Sequence, residues 1–169
     1  MPDNVFLCGL SGSGKSTIAP LLAQERGCEW VDTDTLVVAE AGMPISDIFA
    51  REGESGFRER EARAVAAACA KRGAVVALGG GALERDDSFE CVLATGTLVF
   101  LDAPDEVLQA RLSRNGNEVR PMLSQPGAIA RLRQRRMARF SQAAMTIDTS
   151  ERDPAEIVER IAAACQRKS

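Results

Sequence analysis

The sequence predicts an α/β protein of three layers, in which a five-stranded parallel sheet lies between two layers of helices. Apolar segments of strand length alternate with helical segments five times along the chain. This order is typical of parallel strands joined by helical crossovers. Residues 74–78 are apolar without alternation, as in a strand that is buried on both faces. With 169 residues, we expect a single domain over residues 1–169.

The predicted elements follow one another without linkers or repeats. Strands are predicted at residues 5–8, 28–32, 74–78, 97–101 and 145–148. Helices are predicted at residues 18–26, 36–41, 45–49, 57–72, 89–94, 105–114, 128–140 and 154–167, with a turn at residues 53–56. Ligands of such sheets bind beyond the carboxyl ends of the strands, so the segments that follow the strands are the candidate site.

The first strand leads into a phosphate-binding loop at residues 9–16. Gly9-Leu10-Ser11-Gly12-Ser13-Gly14-Lys15-Ser16 fits the pattern G-x-x-x-x-G-K-[ST]. Its glycines let successive N–H groups face one phosphate, and the helix behind adds its positive end. In this motif the lysine reaches the β- and γ-phosphates and the serine hydroxyl reaches Mg²⁺. The predicted nucleotide contacts are Gly12, Ser13, Gly14, Lys15, Ser16 and Thr17.

Composition argues against several other classes of protein. The net charge of −3 gives no general affinity for nucleic acid, and no apolar run reaches the ~18 residues of a membrane span. No signal peptide is recognisable, and the five cysteines form no close pairs, as is typical of reduced thiols. We expect a cytoplasmic monomer. Because histidine is absent, a carboxylate is the expected catalytic proton acceptor.

Two segments that follow strands carry candidate residues for binding the substrate that accepts the phosphoryl group. At the end of the second strand, Asp34 could face a substrate hydroxyl while Asp32 faces the water shell of a metal ion. The alternative is that both aspartates cap the following helix. Gly79-Gly80-Gly81 follows the third strand and indicates that a ligand approaches the backbone closely, although a flexible turn would also use glycines.

Positive charge is concentrated in one segment. Residues 111–139 contain eight arginines and a single acidic residue, Glu118, which favours binding of anions. A nucleic-acid patch is disfavoured because Phe140 is the only aromatic residue nearby for base stacking. Within the polar, glycine-rich residues 115–127, Arg120 is the candidate to close over a triphosphate.

These pieces together resemble the shikimate kinase family. The matching segments span the chain in family order: the loop at 9–16, Asp32-Thr33-Asp34, Phe57-Arg58 with Glu61, Gly79-Gly80-Gly81-Ala82, Asn117-Glu118-Val119-Arg120-Pro121-Met122-Leu123 and Ile147-Asp148-Thr149. The glycine triplet, the Asp-x-Asp and the short arginine lid separate this family from adenylate and gluconate kinases, which the phosphate loop alone would not do.

The resemblance implies a fold of the nucleoside-monophosphate-kinase type, with a substrate-binding region at about residues 34–61 and a lid at about residues 113–126. It implies Mg²⁺-dependent transfer of the γ-phosphoryl group of ATP to the 3-hydroxyl of shikimate, which yields shikimate 3-phosphate in aromatic amino-acid (chorismate) biosynthesis. The implied shikimate contacts are Asp34, Arg58, Gly79, Gly80, Gly81 and Arg136. Lys15, Asp34 and Arg120 would be catalytic, Arg120 and Arg152 would contact ATP, and Ser16 and Asp32 would hold Mg²⁺, the latter through water.

The sequence departs from the family after the lid helix. The family pattern Arg-x-Pro-Leu-Tyr is replaced by Arg136-Met137-Ala138-Arg139-Phe140, without the proline and the tyrosine hydroxyl. The neighbouring arginines leave open which of them contacts the substrate. Two alternatives to the implied function are a kinase of another hydroxy acid, such as gluconate, and a nucleotide-dependent switch. Asp34, Arg58 and the glycine triplet together favour a small-molecule acceptor, because a switch needs no second anion pocket.

Lys15→Ala tests the phosphate loop. We expect the variant to fold, because a phosphate-facing lysine is not part of the core, and to lose nearly all turnover. Circular dichroism checks the fold, and an ADP-formation assay measures the turnover. A folded variant with near-normal turnover would contradict the assignment of the loop.

Overall fold

The computed structural model describes residues 3–114, 121–123 and 125–166. The five strands are β1 (Asn4–Cys8), β2 (Trp30–Asp32), β3 (Val75–Ala77), β4 (Gly96–Asp102) and β5 (Met145–Asp148). They form one sheet in the order β2-β3-β1-β4-β5, and every neighbouring pair is parallel. The predicted five-stranded parallel sheet is confirmed, with β1 at its centre.

Seven helices are described in these ranges. They are α1 (Lys15–Arg26), α2 (Thr33–Ala41), α3 (Ile45–Cys69), α4 (Asp86–Thr95), α5 (Asp105–Arg114), α6 (Ala128–Phe140) and α7 (Pro154–Gln166), with a short 3₁₀ turn at Pro121–Leu123. No helix of the described segments is long and apolar enough to cross a membrane. All five cysteines lie in these segments and are free thiols, as predicted.

The helices cover both faces of the sheet because alternate strand residues point to opposite sides. On one face, Phe6, Val76 and Phe100 pack with side chains of α3, α4 and α6. On the other face, Leu7 and Leu101 pack with α1 and α7. Strands β1, β3 and β4 therefore contribute to both cores, which explains why their sequences are largely apolar. The three-layer prediction is confirmed.

Two of the differences between predicted and observed boundaries bear on the candidate site. The helices predicted at residues 45–49 and 57–72 belong to α3, whose helical geometry is interrupted at Gly53 with φ 71° and ψ −176°. This positive φ favours glycine, so the predicted turn corresponds to a break in the helix. Strand β2 ends at Asp32, as predicted, but α2 begins at Thr33 and not at residue 36, so Asp34 lies in the first turn of α2.

Helices α2 and α3 form a small third cluster beside the sheet. Val37 of α2 packs with Ile48, Phe57 and Ala64 of α3, and the rings of Phe49 and Phe57 lie 4.8 Å apart between centroids. The cluster fixes the orientation of α3 and with it the residues that follow Phe57.

Candidate active site

The loop between β1 and α1 has the geometry that its sequence predicts. Gly9, Gly12 and Gly14 all have positive φ, at 147°, 87° and 105°, and α1 begins immediately afterwards at Lys15. The Nζ of Lys15 donates to the carbonyl oxygens of Gly9 at 2.6 Å and Leu10 at 3.0 Å. The ammonium group therefore lies over the concave loop, where a phosphate would meet it.

Two residues from other parts of the chain hold this loop, and the sequence analysis gave neither of them a role. Arg111 of α5 donates to the carbonyl of Gly12 at 3.1 Å and to the hydroxyl of Thr149 at 3.0 Å. The buried Thr149 hydroxyl lies 3.0 Å from the carbonyl of Ser13. Because the C=O and N–H of a trans peptide point in opposite directions, anchoring the carbonyl of Ser13 leaves the N–H of Gly14 for the phosphate side. The N–H of Ser13 instead donates within the loop to the carbonyl of Leu10 at 3.1 Å.

A cleft of about 590 Å³ adjoins the phosphate loop. It lies between α2, α3, the glycine triplet and α6. Its polar and glycine lining consists of Ser11, Asp34, Gly42, Ser46, Arg58, Glu61, Gly80, Gly81 and Arg136. Apolar side chains, among them Phe49, Phe57 and Leu132, complete the wall. The structure thus brings together the acceptor-side residues that the sequence placed far apart.

Each glycine of the triplet lies against a charged side chain of the cleft. A Cβ atom at Gly79 would lie 2.6 Å from Oδ1 of Asp34, and one at Gly80 would lie 2.9 Å from a terminal nitrogen of Arg136. A Cβ atom at Gly81 would collide with Nη1 of Arg58 and lie 2.6 Å from Nη2 of the same guanidinium group. The sequence predicted that a ligand approaches the triplet closely. In the structure the groups that lie closest to the three glycines are the side chains of Asp34, Arg136 and Arg58.

Arg58 and Glu61 form a buried ion pair in the wall of the cleft. The guanidinium donates to the Glu61 carboxylate at 2.5 Å. Burial would lower the pKa of Arg58, but the attraction of Glu61, Glu84 and Glu54 outweighs it and the pKa lies above its usual value. Burial raises the pKa of the Glu61 carboxyl; Arg58 opposes this shift and Asp34 adds to it. Arg58 therefore remains a cation, and its buried Nε has no hydrogen-bond partner in the described protein, which leaves a donor for an anion.

Among the arginines of α6, Arg136 alone lines the cleft. It is 5 % exposed, and burial, opposed by Glu84, lowers its pKa. The other arginines of the helix make outer contacts: Arg131 with Pro126, Arg133 with Asp102 and Asp105, Arg135 with Glu84, and Arg139 with Asp86. A helical pattern could have found this, because Ile129, Leu132, Arg136 and Phe140 share the buried face of α6.

Phe140 fills the place where the family has a tyrosine. It is buried and its ring stacks on that of Phe100, with 4.8 Å between centroids. The side chain belongs to the core that supports α6 and does not line the cleft.

The candidate metal residues fit a magnesium ion that is held mainly by phosphates. Oδ1 of Asp32 accepts the N–H groups of Asp34 at 2.8 Å and Thr35 at 3.1 Å, so the capping alternative is confirmed for this oxygen. Ser16 is exposed at the start of α1. The described segments contain no group of three potential protein ligands. Magnesium commonly takes one or two protein ligands and completes its shell with water and substrate phosphates, which suits Ser16 and Asp32.

Arg120, a predicted ATP contact, lies outside the described residues, as do residues 115–119 and 124 of the predicted lid. Met122 and Leu123, which follow it, line the cleft. Arg152 is on the surface and pairs with Glu156 at 2.5 Å.

The fold and the site define a P-loop phosphotransferase in which a second cleft, lined by two arginines, lies beside the phosphate loop. The chain belongs to the shikimate kinase family, whose model matches residues 11–166. It is 45 % identical to the shikimate kinase of Symbiobacterium thermophilum over 162 residues, which cover 94 % of this chain and 93 % of that one. It is 40 % identical to the enzyme of Chlorobium chlorochromatii over 177 residues, which cover 98 % and 92 %.

Solved structures agree with this assignment. The shikimate kinase from Acinetobacter baumannii in complex with shikimate superposes with a TM-score of 0.90 at 30 % identity, covering 99 % of this chain and 94 % of that one. The predicted fold of the nucleoside-monophosphate-kinase type is therefore confirmed. The family also decides against the two alternatives, a gluconate kinase and a nucleotide-dependent switch.

Glu61→Gln tests the raised pKa of the buried carboxyl. Above pH 4.5, the ordinary glutamate value, the unfolded chain releases this proton before the folded chain does. The stability associated with the protonated group is therefore lost as the pH rises through the higher folded pKa. The free energy of unfolding of the wild type minus that of Glu61→Gln should fall as the pH rises above about 4.5. Urea titrations at several pH values measure it, and a difference that rises with pH would contradict the raised pKa.

Proposed function

We propose that the protein transfers the γ-phosphoryl group of ATP to the 3-hydroxyl of shikimate within one kinase domain, in which residues 34–61 bind the acceptor and residues 113–126 form the lid. The observation that carries the proposal is the position of the triplet between two sites. A Cβ atom at Gly80 would lie 2.9 Å from Arg136 in the cleft and 3.9 Å from the carbonyl of Gly9 in the phosphate loop. Donor and acceptor sites thus share a wall. The product, shikimate 3-phosphate, serves aromatic amino-acid biosynthesis, and we infer a cytoplasmic monomer.

The two cleft arginines account for an acceptor that carries a carboxylate. Arg58 and Arg136 approach the triplet from α3 and α6, so their guanidinium groups can contact one anion from two sides. Planar guanidinium groups bind carboxylates through paired, charge-assisted hydrogen bonds. The apolar wall formed by Phe49, Phe57 and Leu132 offers a surface for a carbocyclic ring.

Asp34 is the proposed proton acceptor. Its Oδ1 lies against Gly79, which precedes Gly80, the glycine that adjoins Gly9 of the phosphate loop. A carboxylate in hydrogen-bond reach orients the attacking hydroxyl and accepts its proton as the O–P bond forms. No histidine in the chain could take this role.

The phosphate loop binds and orients the donor. Residues 12–17 supply backbone and hydroxyl donors, and Lys15 exchanges its contacts with Gly9 and Leu10 for the β- and γ-phosphates. Bound Mg²⁺, held by Ser16 and through water by Asp32, supplies neutralising charge on the phosphates. Arg120 would contact the triphosphate from the lid, and Arg152 would lie near the adenine. Closure of the lid would exclude water, so that the hydroxyl and not water receives the phosphoryl group.

A coupled assay tests the proposal. With MgATP present, ADP should form only when shikimate is added, and other hydroxy acids, gluconate among them, should replace it poorly. Formation of ADP at the same rate without an acceptor, or faster with gluconate than with shikimate, would contradict the proposed function.

Arg58→Ala tests the carboxylate contact. A hydrogen bond to a charged group contributes roughly 1.5–3 kcal/mol, so the shikimate dependence should weaken about ten- to a hundredfold. The dependence on ATP should change little, because Arg58 lies in the acceptor cleft. Steady-state kinetics with each substrate varied in turn decide the matter, and an equal shift for ATP would show that Arg58 is not specific to the acceptor.

Arg120→Ala tests the lid. A contact that forms on closure acts mainly in the transition state, so its loss should lower turnover more than affinity. Such an arginine can contribute on the order of 10³-fold in phosphoryl transfer, and Arg120→Lys should recover only part of it. Turnover at saturating substrates is compared with calorimetric affinities for ADP and ATP. A fall of less than about tenfold would identify Arg120 as a solvated loop charge.

A further inference from the structure

Glu84 lies at the end of the glycine turn, where no role was assigned to it. The backbone N–H of Glu84 donates to the carbonyl of Gly81 at 3.0 Å, and that of Ala82 donates to Gly79 at 3.0 Å. These two bonds fix the turn that follows β3. The Glu84 side chain is 14 % exposed, so the turn delivers a largely buried carboxylate to the back of the cleft.

Both oxygens of this carboxylate contact arginines of α6. Oε1 accepts from Nε of Arg136 at 2.7 Å, and Oε2 lies 2.7 Å from a terminal nitrogen of Arg135. Arg135 is exposed at 56 % of its side chain, whereas Arg136 is buried. Glu84 therefore pairs with one arginine that lines the cleft and with one that faces solvent.

The contact with Arg136 determines which part of its guanidinium faces the cleft. Because Glu84 occupies Nε, the terminal nitrogens remain at the other end of the group, and one of them lies against Gly80. Those nitrogens form the edge that can contact a carboxylate. A guanidinium without this anchor would lie in a buried cleft beside a second cation, Arg58, with its Nε unsatisfied.

We propose that Glu84 is a positioning residue for the acceptor: it holds the Arg136 guanidinium so that its terminal nitrogens face the carboxylate of shikimate. This inference rests on the proposed function. It names a specificity element that links the glycine turn to α6, the helix that follows the lid.

The expected effect is confined to one substrate. Removing Glu84 frees Arg136 to rotate, so binding of the acceptor weakens while the phosphate loop is untouched. Glu84→Gln keeps an oxygen that can accept from Nε, and Glu84→Ala does not, so the two variants should differ in degree.

Asp86→Asn provides the matched control. Asp86 lies two residues further on and pairs with Arg139 of the same helix, but both side chains are outside the cleft lining. The substitution removes the same charge and another ion pair between the start of α4 and α6. If losing an ion pair to α6 were enough to change the kinetics, Asp86→Asn would therefore show the same effect as the Glu84 variants.

The experiment measures KM for shikimate, KM for ATP, kcat and the thermal midpoint of the wild type, Glu84→Gln, Glu84→Ala and Asp86→Asn. The KM for shikimate should rise about fivefold in Glu84→Gln and about tenfold or more in Glu84→Ala, because the contact to Arg136 is worth roughly ten- to a hundredfold when intact. The KM for ATP should stay within about twofold, and Asp86→Asn should match the wild type in all kinetic values.

Three results would overturn the inference. An unchanged KM for shikimate in folded Glu84→Gln shows that Arg136 needs no anchor. A lower KM shows that Glu84 only weakens the positive charge of the cleft. A joint rise of both KM values with a lower thermal midpoint shows a purely structural role.

Wild-type enzyme without shikimate-dependent ADP formation would overturn the proposed function as well. An active wild type beside unaffected Glu84 variants would overturn this inference alone.

Discussion

The site depends on the absence of side chains at residues 79–81. A carboxylate and two guanidinium groups approach this backbone to within a distance that no Cβ would allow. Charged groups are costly to bury unless they are paired, and the cleft meets this condition with carboxylates: Glu61 pairs with Arg58 and Glu84 with Arg136. The two arginines can therefore stay charged in the cleft and still offer donors to an anion, through Nε of Arg58 and the terminal nitrogens of Arg136.

The strand order then places this cleft beside the phosphate donor. Strands β2, β3 and β1 are neighbours and parallel, so the segments after them emerge at one edge of the sheet. They supply Asp34, the glycine triplet and the phosphate loop, in that spatial order. Asp34, the cleft and the phosphate loop are thus adjacent although their residues are far apart in the chain. This adjacency suits direct transfer of a phosphoryl group from donor to acceptor.

Local features were predictable from the sequence, and contacts between distant segments were not. Apolar runs gave the five strands, and the spacing of Gly9, Gly14 and Lys15 gave the phosphate loop, because each signal lies within one element. The contact of Arg111 with Gly12 spans 99 residues, and that of Glu84 with Arg136 spans 52. A lone arginine or glutamate has no spacing that marks it, so these partners appear only once the sheet order is known.

A crystal structure with shikimate and a non-transferable ATP analogue tests the central claim most directly. The account predicts that the shikimate carboxylate contacts the guanidinium groups of both Arg58 and Arg136 above the glycine triplet, with the 3-hydroxyl within hydrogen-bond distance of Asp34 and pointing to the γ-phosphate. A carboxylate bound instead by the outer arginines of α6, such as Arg135 or Arg139, or a 3-hydroxyl directed away from Asp34, would contradict it.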